Sequence, residues 1–302
     1  MKSRPVVLLA LATLIHMVSF TEAWYIDPSC TGKGQVNFVR TAFIQAFTLA
    51  RLGDVVVNAP SPPQRDLMHK LFGTNDTFTA QAVNNALGGV AGISTQHCNA
   101  NQLQRNDVSR LKPRVKDPLH YYDPHIDETV NIDSKIDCKT GQVFAYTQRP
   151  LRTDRYDQIQ ICPWFLEYAM KDSYRFKNDI KADMLARMAL KLNEFVTDKW
   201  YTPVDLIMLF DKVMLHELTH TRAGTETIDV GGRSGYGWKS CSALSTVVTN
   251  PTTKTYGPEK NADSYAIFAS GCYIISQGLT INSDGSISEK AEQKRAAISW
   301  EA

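Results

Sequence analysis

The sequence predicts an α+β fold in which a small sheet packs against one buried helix. Three observations carry this. Strand-like patterns occur at residues 129–148 and 158–162, and two helical stretches follow at 179–200 and 204–221. The second of those helices is apolar nearly all round, so it must be covered on every side. Strands first and helices after them point to segregated layers rather than an alternating α/β arrangement.

Taken in order, residues 1–23 read as an export signal. Lys2 and Arg4 give a positive start, residues 6–20 are largely apolar, and Thr21-Glu22-Ala23 offers a small-residue cleavage site. The apolar run is too short to span a membrane comfortably. Residues 24–282 are read as one domain, and the charged, small-residue-rich stretch 283–302 as a partly loose tail. Within the domain, Val36, Val39, Phe43, Ala46, Phe47 and Ala50 follow a helical rhythm, with Gly53 as the expected stop. Residues 64–72 suggest a second, short helix after a proline break. The mixed, polar stretch 88–122 reads as loops with short helical turns. Residues 129–148 read as a hairpin turning at Lys139-Thr140-Gly141, and Gln158-Ile159-Gln160-Ile161 alternates as a further strand.

The 279 residues left after removing 23 from 302 can bury a substantial core. A formal charge of +2, without basic runs, gives no reason to expect nucleic acid or an anionic membrane as partner. Six cysteines (Cys30, Cys98, Cys138, Cys162, Cys241 and Cys272) all follow the cleavage site. In an exported chain an even number predicts disulfides, here three. Their wide spacing, with no C-x-x-C, argues against a thiolate zinc cluster. Asn75-Asp76-Thr77 is a usable glycosylation sequon, whereas Asn250 precedes a proline.

The chemistry concentrates in His216-Glu217-Leu218-Thr219-His220. Two histidines four apart project from one face of a helix, close enough to share a cation at about 2.0–2.1 Å. Glu217, beside the first of them, is placed to handle the proton of a water rather than to ligate. Two imidazoles and a carboxylate inside a buried helix would be costly without a partner. A catalytic zinc takes three protein ligands and keeps one open position. No histidine follows His220, so a third ligand downstream must be a carboxylate, with Glu226, Asp229, Glu259 and Asp263 as candidates.

These pieces resemble the aspzincins, the deuterolysin-like zinc metalloendopeptidases of fungi. The matching segments are residues 216–220, Gly224-Thr225, Tyr236-Gly237, Ala243-Leu244-Ser245 and Asn261-Ala262-Asp263-Ser264-Tyr265-Ala266, so the likeness covers about residues 200–275. The resemblance implies a zincin-like fold and a third zinc ligand from an aspartate shortly after Gly-Thr. It also implies a tyrosine, here Tyr236, that steadies an oxyanion. Thr227 stands where the family has that aspartate. Asp229 is the nearest one, and the glycine-rich stretch 231–235 then lengthens the approach to Tyr236. Asp263 is the rival ligand, or else an orienting hydrogen-bond partner of a ligand histidine. Ala266 replaces the carboxylate that lysine-preferring members carry, so strict lysine preference is not implied. Residues 158–163 resemble the edge strand that zincins lay beside a peptide.

The reading is thus a secreted, monomeric zinc metalloendopeptidase acting on protein or peptide substrates. It has one catalytic zinc on His216, His220 and Asp229, with Glu217 as general base and Tyr236 at the oxyanion. No nucleic acid is involved, nor a membrane after signal removal. The alternative is a secreted zinc-binding protein without catalysis, a metal scavenger or host-interaction factor. Glu217 speaks against it, since binding alone has no use for a general base. His97, His120 and His125 are read as surface histidines.

Overall fold

A computed structural model describes residues 24–26, 34–93, 101–105, 120–123, 128–131, 138, 143–149, 157–172, 201–206 and 208–289. The expected export signal, the helix at 179–200, Cys30, Cys98, His97 and His125 lie outside the described residues. The architecture is α+β: three long, mutually packed helices with a small mixed sheet to one side.

Helix α1 (Gln35–Asn58) buries Val39, Phe43, Ala46, Phe47, Ala50 and Val57, the stripe its apolar spacing predicts. It does not stop at Gly53. A Cβ at that position would lie 2.5 Å from Leu87 Cδ1 and 3.3 Å from Ala269 Cβ, so the glycine lets two helices approach rather than ending one. Helix α2 (Pro62–Phe72) opens as its sequence suggests, with Ser61 and Gln64 forming a capping box and proline in the first turn. Helix α3 (Asp76–Val83) is capped by Asn75, whose side chain accepts from Phe78 N–H at 3.1 Å. A π-helical turn (Asn84–Gly88) leads into the short α4 (Gly89–Ile93).

Strands β1 (Trp24–Ile26), β2 (Asn101–Arg105), β5 (Ala145–Gln148) and β6 (Gln158–Ile161) form one sheet in the order β1-β2-β6-β5. The first two pairings are parallel and β5–β6 is antiparallel. Strands β3 (His120–Asp123) and β4 (Glu128–Asn131) pair only with each other among the described residues. Of the hairpin expected over 129–148, residues 132–137 and the turn at 139–141 lie outside the described residues; the described ends pair elsewhere, 128–131 with β3 and 145–148 with β6. The edge position also moves, because β6 lies inside the sheet and β5 is its border.

Helix α5 (Pro163–Asp172) follows β6, and its Phe165 joins sheet to helices. Phe165 stacks on Phe144 at 4.5 Å between centroids and meets Phe210 at 5.1 Å, while Phe38 of α1 meets Phe210 at 4.9 Å. Burying one such ring contributes about 1.5–3 kcal/mol.

The helix expected from residue 204 is broken. A 3₁₀ turn (Pro203–Leu206) comes first, Met208 takes φ 48°, and helix α6 begins only at Leu209 and runs to His220. At the 3₁₀ turn the Asp205 carboxylate accepts from Thr202 N–H (2.7 Å), Thr202 Oγ1 (2.8 Å) and Trp238 N–H (2.7 Å), which caps the turn and ties it to Trp238. Every α6 residue from Leu209 to Thr219 is buried, as an all-round apolar helix requires. Helices α7 (Trp238–Leu244) and α8 (Ala262–Ser276) follow, and α8 packs on both α1 and α6.

Residues 283–289, assigned to a loose tail, are instead folded. Strands β7 (Leu279–Ile281) and β8 (Ile287–Glu289) make a hairpin, and its turn is held by Trp238 Nε1–H to Ser283 O (3.0 Å) and Val204 N–H to Gly285 O (3.1 Å). The three-disulfide expectation is corrected as well. Cys138 is bonded to Cys162, which ties the stretch before β5 to the end of β6, but Cys241 and Cys272 are buried free thiols. Among the described residues no helix is long and apolar enough to cross a membrane.

Candidate metal centre

His216 and His220 lie one turn apart at the C-terminal end of α6, and their Nε2 atoms are 3.1 Å apart. Two nitrogens each about 2.05 Å from a tetrahedral ion would be separated by roughly 3.3 Å. The two rings are therefore already paired as ligands of one cation need to be.

The third corner comes from the segment after α6. The turn there is tight: a Cβ on Gly224 would lie 2.3 Å from Thr219 Cα and 2.4 Å from Leu218 O, so only glycine lets the chain fold back. Thr225 and Glu226 then adopt positive φ, 69° and 54°. Ile228 forms a parallel bridge with Asn261, through Ile228 N–H to Lys260 O (2.8 Å) and Ala262 N–H to Ile228 O (3.1 Å). Thus Asp229 is delivered between α6 and the start of α8. Its Oδ1 lies 3.1 Å from His216 Nε2 and 3.4 Å from His220 Nε2. That oxygen is buried and meets neither nitrogen in hydrogen-bonding geometry. His216, His220 and Asp229 offer ligand atoms all within 4.8 Å of one another, a group that could hold a metal ion.

The atoms facing away from this centre are also engaged. Behind His216, Nδ1 is 3.3 Å from Asp263 Oδ1, and Asp263 Oδ2 accepts from Gly237 N–H at 2.6 Å. Behind His220, Nδ1 is 2.8 Å from the Thr227 carbonyl. Tyr236 donates its hydroxyl to Asp229 Oδ2 at 2.7 Å, which turns the other oxygen towards the histidines. Such partners set which ring nitrogen is free to ligate.

No family model matches the chain, and no curated protein matches it. The structure places the residues singled out from the sequence as follows. Asp229 joins the two histidines, while Asp263 approaches the opposite nitrogen of His216. Glu226 points elsewhere, paired with Arg149 at 3.1 Å, and Glu259 is bonded to Thr249. Thr227, two residues after Thr225, bonds Thr219 Oγ1 at 2.8 Å and lends its carbonyl to His220. Glu217, between the histidines in sequence, is 4% exposed, and Thr147 of β5 donates to its Oε2 at 2.8 Å.

Burial and charge act together here. Burial alone would lower the His216 pKa, but Asp229 and Asp263 close to its two nitrogens raise it to about 10. Asp229 moves the opposite way: burial would raise its carboxyl, yet the two histidines hold it well below the usual range. Without a cation, the two shifts favour a charged imidazole facing a charged carboxylate. Glu217 is pushed up, chiefly by burial, although both histidines resist this. Asp263 stays ionised with a pKa of about 2; burial opposes this, and the charge of Lys212 leads the groups that overcome it, followed by His216.

Sequence reading missed Thr147, Asp205 and Lys212. Lys212 and Asp211 did leave a trace, since charged residues in a helix apolar all round must find partners. Thr147 left none.

Proposed function

We propose that this chain is a secreted zinc metalloendopeptidase with a zincin-like fold. The observation that carries the reading is the buried, hydrogen-bond-less Oδ1 of Asp229, set beside two imidazole nitrogens on the helix that also bears Glu217. Two nitrogens and one carboxylate oxygen are a donor set that zinc accepts in sites with an open position. A bound zinc ion supplies Lewis acidity, acidifying water and polarising a peptide carbonyl.

The chain's own residues do the rest. Glu217 takes a proton from the attacking water and delivers it to the departing amine. Its elevated pKa suits a group that must both accept and release a proton. Tyr236 keeps Asp229 turned towards the histidines, and steadying a developing oxyanion would require its single hydroxyl hydrogen to turn away from Asp229 Oδ2. Asp263 and the Thr227 carbonyl fix the two rings. The disulfide and the apolar leader support an exported protein, with protein or peptide chains as substrates.

The test is casein cleavage by the purified protein, with and without a chelator and after zinc is restored. Glu217→Gln should lower kcat by about 10²–10⁴-fold while leaving bound zinc in place. Cleavage that survives chelation, or full activity in the variant, would rule the peptidase reading out. Stoichiometric zinc in a protein inert on diverse peptides would favour the scavenger alternative instead.

A further inference from the structure

Thr147 stands outside every sequence motif, yet its hydroxyl makes the most direct contact with Glu217. It lies on the border strand β5, opposite Ile159 of β6, and its Oγ1 is 2.8 Å from Glu217 Oε2 and 2.8 Å from the Glu217 main-chain carbonyl. We propose that Thr147 is a positioning residue for Glu217, holding its carboxyl group in one place on the helix; this rests on the peptidase reading above.

A hydroxyl has one hydrogen to give, and the Glu217 carboxyl oxygen and main-chain carbonyl both lie 2.8 Å from Thr147 Oγ1, so the two share it. A donor fixed on the strand and aimed at both the side chain and the main chain of one residue restrains how that carboxyl group can turn about its side-chain bonds.

The same two bonds tie β5 to the end of α6, so the border strand and the acid–base group move together. In a site that must stay accurate to fractions of an ångström, such a tie acts on turnover more than on binding.

The experiment compares Thr147→Val, which keeps the β-branched shape and removes the hydroxyl, with Thr147→Ser, which keeps it. Peptide hydrolysis, zinc content and Tm are measured for both. Loss of a hydrogen bond to a charged group predicts a fall in kcat of about 10–100-fold for the valine variant. KM should stay within about twofold, since substrate contacts are untouched. Zinc content is expected to be unchanged, and the serine variant to recover most of kcat. An active wild type with the valine variant at full kcat overturns the inference and leaves the peptidase reading standing. Equal losses in the valine and serine variants, or loss of zinc from the valine variant, overturn it in favour of a purely structural tie. A zinc-loaded wild type inert on peptides overturns both readings together.

Discussion

His216 and His220 are held from behind by Asp263 and the Thr227 carbonyl, with Asp263 itself buried and bonded to Gly237 N–H. The strand flanking the same helix is tied to it differently, through the Thr147 hydroxyl, while two residues on Arg149 pairs with Glu226 beyond the helix end. The helical side uses buried charge to fix where a cation would sit. The strand side uses a neutral hydroxyl on Glu217 and a surface pair on Glu226. On the proposed reading, metal binding and turnover would rest on different walls, and substitutions on the two should separate them.

The largest effect is expected from Asp229→Ala, which removes one of three ligand groups. Zinc affinity should fall well beyond the roughly 10–100-fold typical of a supporting partner, as read by competition with a chromogenic chelator. Asp263→Asn should produce that smaller loss, about 10–100-fold, because it touches His216 only at Nδ1. Should the order of these two variants reverse, Asp263 would be the ligand and Asp229 the supporter.

A third expectation concerns pH. In the cation-free protein the His216 pKa is raised from 6.5 to about 10. Its contribution to stability is therefore fully present below pH 6.5 and lost as pH rises through 10. A cation needs the neutral ring, so zinc affinity should rise over the same interval. Melting curves with chelator should show Tm declining across this range, and a flat apo profile would contradict the buried carboxylate–imidazole pairing. The smallest effect belongs to Arg149→Ala, less than about 1 kcal/mol by denaturant titration, since exposed ion pairs are weak.

How far the sequence disclosed all this depends on how local each feature is. The two histidines and Glu217 are legible because their spacing alone sets them on one helical face. Asp229 needed more. Its arrival depends on the Gly224 turn and on a bridge between Ile228 and Asn261, which no periodicity announces. Strand β2 was hidden for a related reason: Asn-Gln-Leu-Gln-Arg carries no apolar run, and its parallel neighbours are remote in sequence. The turn signal at Lys139-Thr140-Gly141 lies outside the described residues, and only the outer ends of the expected hairpin, residues 128–131 and 145–148, show their partners. Gly53 misled, marking a close crossing of helices instead of an end. The cysteine count failed because parity says nothing about which thiols meet, and burial keeps Cys241 and Cys272 apart from solvent.

Helix α1 has a consequence for how the protein is made. It meets α6 at Phe38–Phe210 and α8 at Gly53–Ala269, and both of those partners are encoded near the far end of the chain. During synthesis α1 leaves the ribosome long before they exist, with the stripe from Val39 to Ala50 uncovered. That stripe must be shielded until the later helices arrive, and a prematurely terminated chain would leave it uncovered.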